Sequence, residues 1–353
     1  MNHQPTLISA LLNQDIPYTP IWLMRQAGRY LPEYRKLRES AGSFLNLCKN
    51  PDLATQVTLQ PLQRFNLDAA ILFSDILVIP EAMGLNLNFV ENEGPKFSNP
   101  IKNNRDIDNL SIQDVIPKLD FVFQAIKQIK ANTKSPLIGF SGSPFTLACY
   151  MLEGGSSKDY QLAKNWLYNN PIAMHKLLAI LTEAIIKYLN SQIEAGVDVV
   201  MVFDSWGGVL SEASYHEFSL KYNSEIINKL HKIHQNRTIP NILFTKGGNN
   251  WIKEITQAKS NAIGIDWTSD IGKIRSSLGP NPVLQGNLDP ILLAIGDKGA
   301  IKAEVNRILT NYKIANNGSI KGHVFNLGHG IVPNTNPDNV AYLIDLVHEL
   351  SSI

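Results

Sequence analysis

Between residues 171 and 195 apolar side chains recur at Leu177, Leu178, Leu181, Ile185, Ile186, Leu189 and Ile193, the three-and-four spacing that lines one face of a helix. Gly196 follows where a helix C-terminus takes a left-handed residue. The next stretch, VDVVMVF, contains an unbroken β-branched run, the composition of a strand covered on both faces in a parallel sheet. The same rhythm recurs along the chain. KLDFVFQAIKQIKANTKSPLIGFSG passes from helix to short strand, and NILFTKGGNNWIKEITQAK passes from strand through a Gly/Asn turn into helix. Ser269 or Asp270 is positioned to cap one helix, Asp289 to cap another with Pro290 as its first residue, and Asn336 with Pro337 to open the terminal one.

Strand candidates are IWLM, AAILFS, LIGFS, VVMVF, NILFT, AIGI, PVLQ and HVFNL, most of them followed by a helical pattern. Eight such units predict an α/β fold closed as a (β/α)8 barrel, one domain over residues 1–353. A doubly wound open sheet is the alternative. Against it, no strand runs into a GxGxxG turn, and GFSGSP has the wrong glycine spacing and a proline where a helix should open. Residues 85–97, LNLNFVENEGPKF, alternate and turn at Glu93, Gly94 and Pro95, which predicts a hairpin inserted in one βα connection.

Composition narrows the function. A chain of 353 residues with 44% hydrophobic and 18% charged residues is an ordinary globular protein. A formal net charge of +1 argues against nucleic-acid binding, which calls for a broad basic surface. Cys48 and Cys149 stand about a hundred residues apart with no metal-binding spacing, so a reducing, cytoplasmic setting is expected. The N-terminal stretch lacks the pattern of a signal peptide, and Asp75 interrupts the apolar segment 68–85, so no membrane role is expected. Against this neutral background, residues 21–38 gather Arg25, Arg29, Arg35, Lys36 and Arg38 with Glu33 as their one acid.

In a (β/α)8 barrel the active site forms just past the C-terminal ends of the strands. Following the strands outward gives Arg25 and Arg29 after IWLM, Asp75 after AAILFS, Pro144, Thr146 and Tyr150 after LIGFS, Asp204 and Ser205 after VVMVF, and His329 after HVFNL. Each has a plainer reading. Asp75 could cap a helix, although an unpaired anion within an apolar stretch is costly. Tyr150 could be a core phenol and His329 a satisfied buried imidazole. Arg35, Lys36 and Arg38 open a helix and read as solvated surface. His3, His175, His216, His231, His234 and His348 read as surface or packing residues.

The stretches PIWLMRQAGRYLPEYR and GFSGSPFTLACYMLEGG resemble the two signatures of the uroporphyrinogen decarboxylase family, and FSD, FDSWGG and NLGHG follow in the family's order. The resemblance implies a cofactor-free, metal-free carboxy-lyase of haem biosynthesis, a homodimer acting on an anionic porphyrinogen. It implies conversion of the four acetates of uroporphyrinogen III to methyls. Arg25, Arg29, Asp75, Tyr150, Ser205 and His329 become the expected site residues, with Phe140 and Phe203 as apolar walls. Two competing readings share the barrel or the ligand. One is a corrinoid- or zinc-dependent methyltransferase, which needs His and Cys ligands; the other is a non-catalytic tetrapyrrole carrier.

Overall fold

The computed structural model describes residues 4–90 and 94–353. Strand β1 is Ala70–Ile71, β2 and β3 are Leu87–Val90 and Gly94–Phe97, β4 is Leu137–Gly142 and β5 is Val199–Asp204. A short pair, β6 (Ile233–His234) and β7 (Arg237–Thr238), precedes β8 (Asn241–Thr245), β9 (Ala262–Gly264), β10 (Val283–Gln285) and β11 (His323–Val324). Strands β1, β4, β5, β8, β9, β10 and β11 form one parallel sheet in that order.

Residues 21–24, expected as a full strand, close the ring as an eighth stave without joining the ladder. Ile21 bridges Phe325 in parallel; Phe325 donates to the Pro20 carbonyl at 2.8 Å and Asp68 N–H to the Ile21 carbonyl at 2.9 Å. Side chains replace the missing ladder bonds: the Asp68 carboxylate accepts from Ile21 N–H at 2.8 Å, and the Asn326 amide oxygen accepts from Met24 N–H at 3.0 Å. The result is a closed (β/α)8 barrel in which β11 and β1 flank residues 21–24.

Alternation along the staves sorts the core into two layers. Trp22, Met24, Ala69, Ile71, Ile138, Val199, Met201, Ile242, Phe244, Ala262, Val283 and Val324 fill the barrel, plugged from below by Leu7, Ala10 and Leu11 of the helix Thr6–Leu11. Their neighbours Ile21, Leu23, Ala70, Leu72, Val200, Val202, Leu243, Ile263 and Leu284 face outward against the helices. The helix Pro171–Ala195 ends on Gly196 at φ 119°, a left-handed residue that suits glycine. Asp270, Asp289 and Asn336 cap their helices as read from sequence.

Pro144, taken as an obstacle to a helix, is the first residue of the helix Pro144–Glu153, where its missing N–H costs nothing; Ser143 caps the helix by accepting from Thr146 N–H. Strands β2 and β3 pair antiparallel, Leu87 opposite Phe97; Glu93 of the expected turn lies outside the described residues. Among the described residues no helix is long and apolar enough to cross a membrane.

Candidate active site

The mouth of the barrel is built where each stave leaves the apolar interior. After residues 21–24 the chain turns through RQAGR with Arg25 at φ 61°, a left-handed conformation that costs energy for any L-residue bearing a β-carbon. Buried groups hold that turn. Gln26 accepts from Leu23 N–H at 3.1 Å and donates to the Ala69 carbonyl at 3.1 Å, while the Tyr30 hydroxyl donates to the Gln26 carbonyl at 2.8 Å. Arg35, expected on the solvated surface, is exposed but donates to the carbonyls of Arg29 and Tyr30 at 2.8 and 3.1 Å. It therefore braces the arginine loop from the following helix.

The Arg25 side chain lies along the loop after β11. A β-carbon at Gly330 would collide with its Cδ and Cγ, so the glycine beside His329 makes room for the guanidinium stem. Arg25 is the common electrostatic neighbour of three other mouth residues, Asp75, Tyr150 and His329.

Asp75, beyond β1, is partly covered and accepts a hydrogen bond from Leu77 N–H at 2.8 Å. Burial raises its carboxyl pKa above the ordinary value, and the Glu81 carboxylate adds to the rise; the Leu77 bond and Arg25 oppose it. Tyr150 lies on the helix Pro144–Glu153, its phenol pushed up to about 12 by burial first and then by Asp75. It is a protonated donor at neutral pH. Burial, reinforced by Arg25 and Lys246, lowers the His329 imidazole to about 4, so it is neutral at neutral pH.

Phe140 of β4 and Phe203 of β5 meet edge-on at 5.6 Å, and Phe203 rests on Phe244 at 6.2 Å. Both are partly exposed above the filled barrel, forming an aromatic floor. The His329 ring is 6.3 Å from Phe244. Ser205 follows β5 and is partly covered. Arg29 is exposed farther along its loop, and no hydrogen bond or ion pair ties its side chain to the other mouth residues among those described.

Asp204, the other strand-end acid, belongs to the scaffold. Its oxygens accept from Ser143 and Ser219 at 2.7 Å each, from Thr245 at 3.2 Å and from Thr146 at 3.4 Å, all buried. This hydroxyl cage joins β5 to β8 and to the helix Pro144–Glu153.

Three further mouth side chains escaped the sequence reading. Trp206 lies 6.0 Å from Tyr150 and 5.2 Å from Tyr160, and Lys246 stands 5.7 Å from the Trp206 ring and 5.9 Å from that of Trp267. The strand-end rule already in use would have found them, since Lys246 follows NILFT, and Asp266 and Trp267 follow AIGI. Cys149, the thiol nearest a strand end, is buried in the core. Among the described residues the group at metal-ligand spacing is Glu212, His216 and Glu254, which contains no cysteine.

A family profile described as Uroporphyrinogen decarboxylase (URO-D) matches residues 2–350. Uroporphyrinogen decarboxylases from Azoarcus sp. (strain BH72) and Nitrosomonas europaea are each 53% identical over 348 residues, covering 98% of this chain and 96% of theirs. The Neisseria meningitidis (serogroup A) enzyme of the same name is 52% identical with the same coverage. Among solved structures, a methyltransferase from Methanosarcina mazei superposes with TM-score 0.80 at 22% identity, covering 98% of this chain and 97% of its own. A B12-independent methionine synthase from Shewanella sp. gives 0.53 at 10% identity, covering 85% and 87%. At these identities the two structures speak for the barrel alone.

Proposed function

The chain belongs to the uroporphyrinogen decarboxylase family, and we propose that Asp75 is the group on which its carboxy-lyase chemistry turns. The reaction takes the acetate side chains of uroporphyrinogen III to methyls, giving coproporphyrinogen III. Its substrate is a flexible ring of four pyrroles, apolar across its faces and carrying eight carboxylates around its rim. Phe140 and Phe203 receive the apolar face, while Arg25, Arg29 and the Ser205 hydroxyl meet the rim. A guanidinium suits that task because its planar fork grips a carboxylate through two parallel bonds and stays charged at any working pH.

Asp75 sits under the ring centre, where its free lone pairs accept the pyrrole N–H groups as the ring domes toward it. Each decarboxylation begins with a proton added to the pyrrole carbon bearing the acetate, giving a delocalised ring cation. The bond between the acetate methylene and its carboxylate then breaks, carbon dioxide leaves, and the electron pair flows into the ring. A proton adds to the exocyclic carbon and the first returns to solvent, so one proton is consumed per carbon dioxide released. The carboxylate beneath the ring stabilises the cation as it forms, and the low polarity of the mouth strengthens that attraction. Arginine holds its proton to a pKa above about 12, so solvent supplies the protons, oriented by the Tyr150 phenol and the neutral His329.

The observation carrying this reading is the meeting of a burial-raised carboxylate, a guanidinium, a protonated phenol and a neutral imidazole above an aromatic floor. A homodimer and a cytoplasmic location belong to the same reading. Both thiols are free, as a reducing compartment keeps them. The test is anaerobic incubation with uroporphyrinogen III, then oxidation and separation of porphyrins by carboxyl number. Products stepping from seven to four carboxyls support the reading, and recovery of the octacarboxylate alone contradicts it.

A further inference from the structure

We propose that Lys246, held between the indoles of Trp206 and Trp267, is a second carboxylate-binding station for the substrate rim, across the mouth from Arg25 and Arg29. This rests on the decarboxylase reading and adds a residue to its specificity. Lys246 stands across the barrel mouth from the two arginines. Around the ring the order is residues 21–24, β1, β4, β5, β8, β9, β10 and β11. Residues 21–24, which deliver the arginines, and β8, which delivers Lys246, are therefore four staves apart on opposite sides. A substrate with carboxylates on its whole periphery is best met by cations on both sides, and arginines on one side alone leave the far half of the rim, where Ser205 lies, without one.

The Lys246 ammonium is held in place by aromatic rings and not by an acid among the described residues. Its backbone is pinned, with Lys246 N–H donating to the Asp204 carbonyl at 3.2 Å and its own carbonyl accepting from Gly208 N–H at 3.1 Å. The side chain is partly covered, and among the described residues no carboxylate lies within ion-pair distance of it. Asp266, the acid on the next stave, is committed to Gly247 N–H at 2.6 Å, the Asn249 amide at 2.7 Å and the Thr268 hydroxyl at 2.6 Å. Two indoles instead steady the ammonium, at 5.7 and 5.9 Å. Aromatic faces orient a cation without neutralising it, which leaves it ready for an anionic ligand. Lys246 and Arg25 also both depress the His329 imidazole, so the two cations act on the same space. Trp267 is 37% exposed, an apolar shelf beside the ammonium for the methylenes of a propionate or acetate arm.

The test compares steady-state kinetics on uroporphyrinogen III for the wild-type chain, Lys246→Met and Lys246→Arg at low and high salt. Removing one charge-assisted hydrogen bond raises KM of Lys246→Met about tenfold, with a smaller change in kcat. The arginine variant recovers most of the loss. The wild-type KM climbs more steeply with salt than that of Lys246→Met, because the latter has one cation fewer to screen. A wild-type KM in Lys246→Met overturns the station, and an arginine variant as impaired as the methionine one assigns Lys246 to packing. If Lys246→Met does not fold by urea titration, Lys246→Gln carries the same comparison. Wild-type protein that leaves uroporphyrinogen unchanged overturns the decarboxylase reading itself, an outcome distinct from a silent Lys246 substitution.

Discussion

Asp75 and Asp204 are both partly or fully buried acids at strand ends, and their partners separate them. Four hydroxyls occupy Asp204, whereas Asp75 takes one backbone N–H and keeps lone pairs for a ligand. Arg25 stabilises the ionised form of Asp75 against burial. Without that cation the carboxyl pKa rises further, so ionisation requires a higher pH. Arg25→Met is therefore expected to move the acid limb of the kcat/KM profile to higher pH on its residual activity; a limb at the wild-type position would show that Asp75 does not govern it. This difference between the two acids was not legible in the sequence. The hydroxyls around Asp204 come from Ser143, Thr146, Ser219 and Thr245, and only the fold brings them together.

Among the elements, the stave at residues 21–24 shows how far pattern alone carries. Its apolar run marked a stave of the barrel but not the full strand expected there, since only Ile21 bridges; AAILFS and HVFNL did mark strands, yet each ladder there is only two residues long. Side chains complete the pairing where ladder bonds stop: Asn326 serves Met24 N–H, and the Thr58 hydroxyl accepts from Phe73 N–H at 3.0 Å. Periodicity reports which face is apolar and carries no information about such substitutions. Helix starts were legible because a cap and a following proline act within a few residues of each other. Asp68 is the strongest of the unforeseen ties. Its oxygens accept from Ile21 N–H at 2.8 Å, the Tyr18 hydroxyl at 2.8 Å and His348 Nε2 at 2.9 Å, joining the closing stave to the C-terminal helix. Asp68→Ala leaves partly buried donors unsatisfied and is expected to lower stability by about 1–3 kcal/mol, read from urea unfolding. A loss under about 0.5 kcal/mol, the range of ordinary surface substitutions, would show that the stave closes without it.

For the molecule as a whole, closing the barrel places groups from distant parts of the chain at one mouth and keeps two histidines neutral, His323 fully buried and His329 partly covered. Burial, with Arg25 and Lys246 beside His329 and Arg275 beside His323, lowers each imidazole to about 4 from 6.5. The unfolded chain takes up these protons near pH 6.5 and the folded chain only near 4, so their contribution to stability is full above 6.5 and is lost as pH falls through that window. The raised carboxyl pKa values of Asp75 and Asp204 act in the opposite sense. The comparison is therefore with His323→Gln, whose amide can keep the 3.0 Å bond that His323 Nε2 makes to the Gly286 carbonyl. Its stability should fall less between pH 7 and pH 4.5 than that of the wild type, and parallel curves would contradict a neutral buried His323. The central claim, that one carboxylate under the macrocycle drives its decarboxylation, is tested most directly by kcat of Asp75→Asn on uroporphyrinogen III, with the urea midpoint measured alongside. Asparagine can keep the Leu77 bond and removes the charge. The account predicts a kcat lower by about a hundredfold or more at an unchanged midpoint, and a folded Asp75→Asn protein turning over within a few-fold of wild type would contradict it.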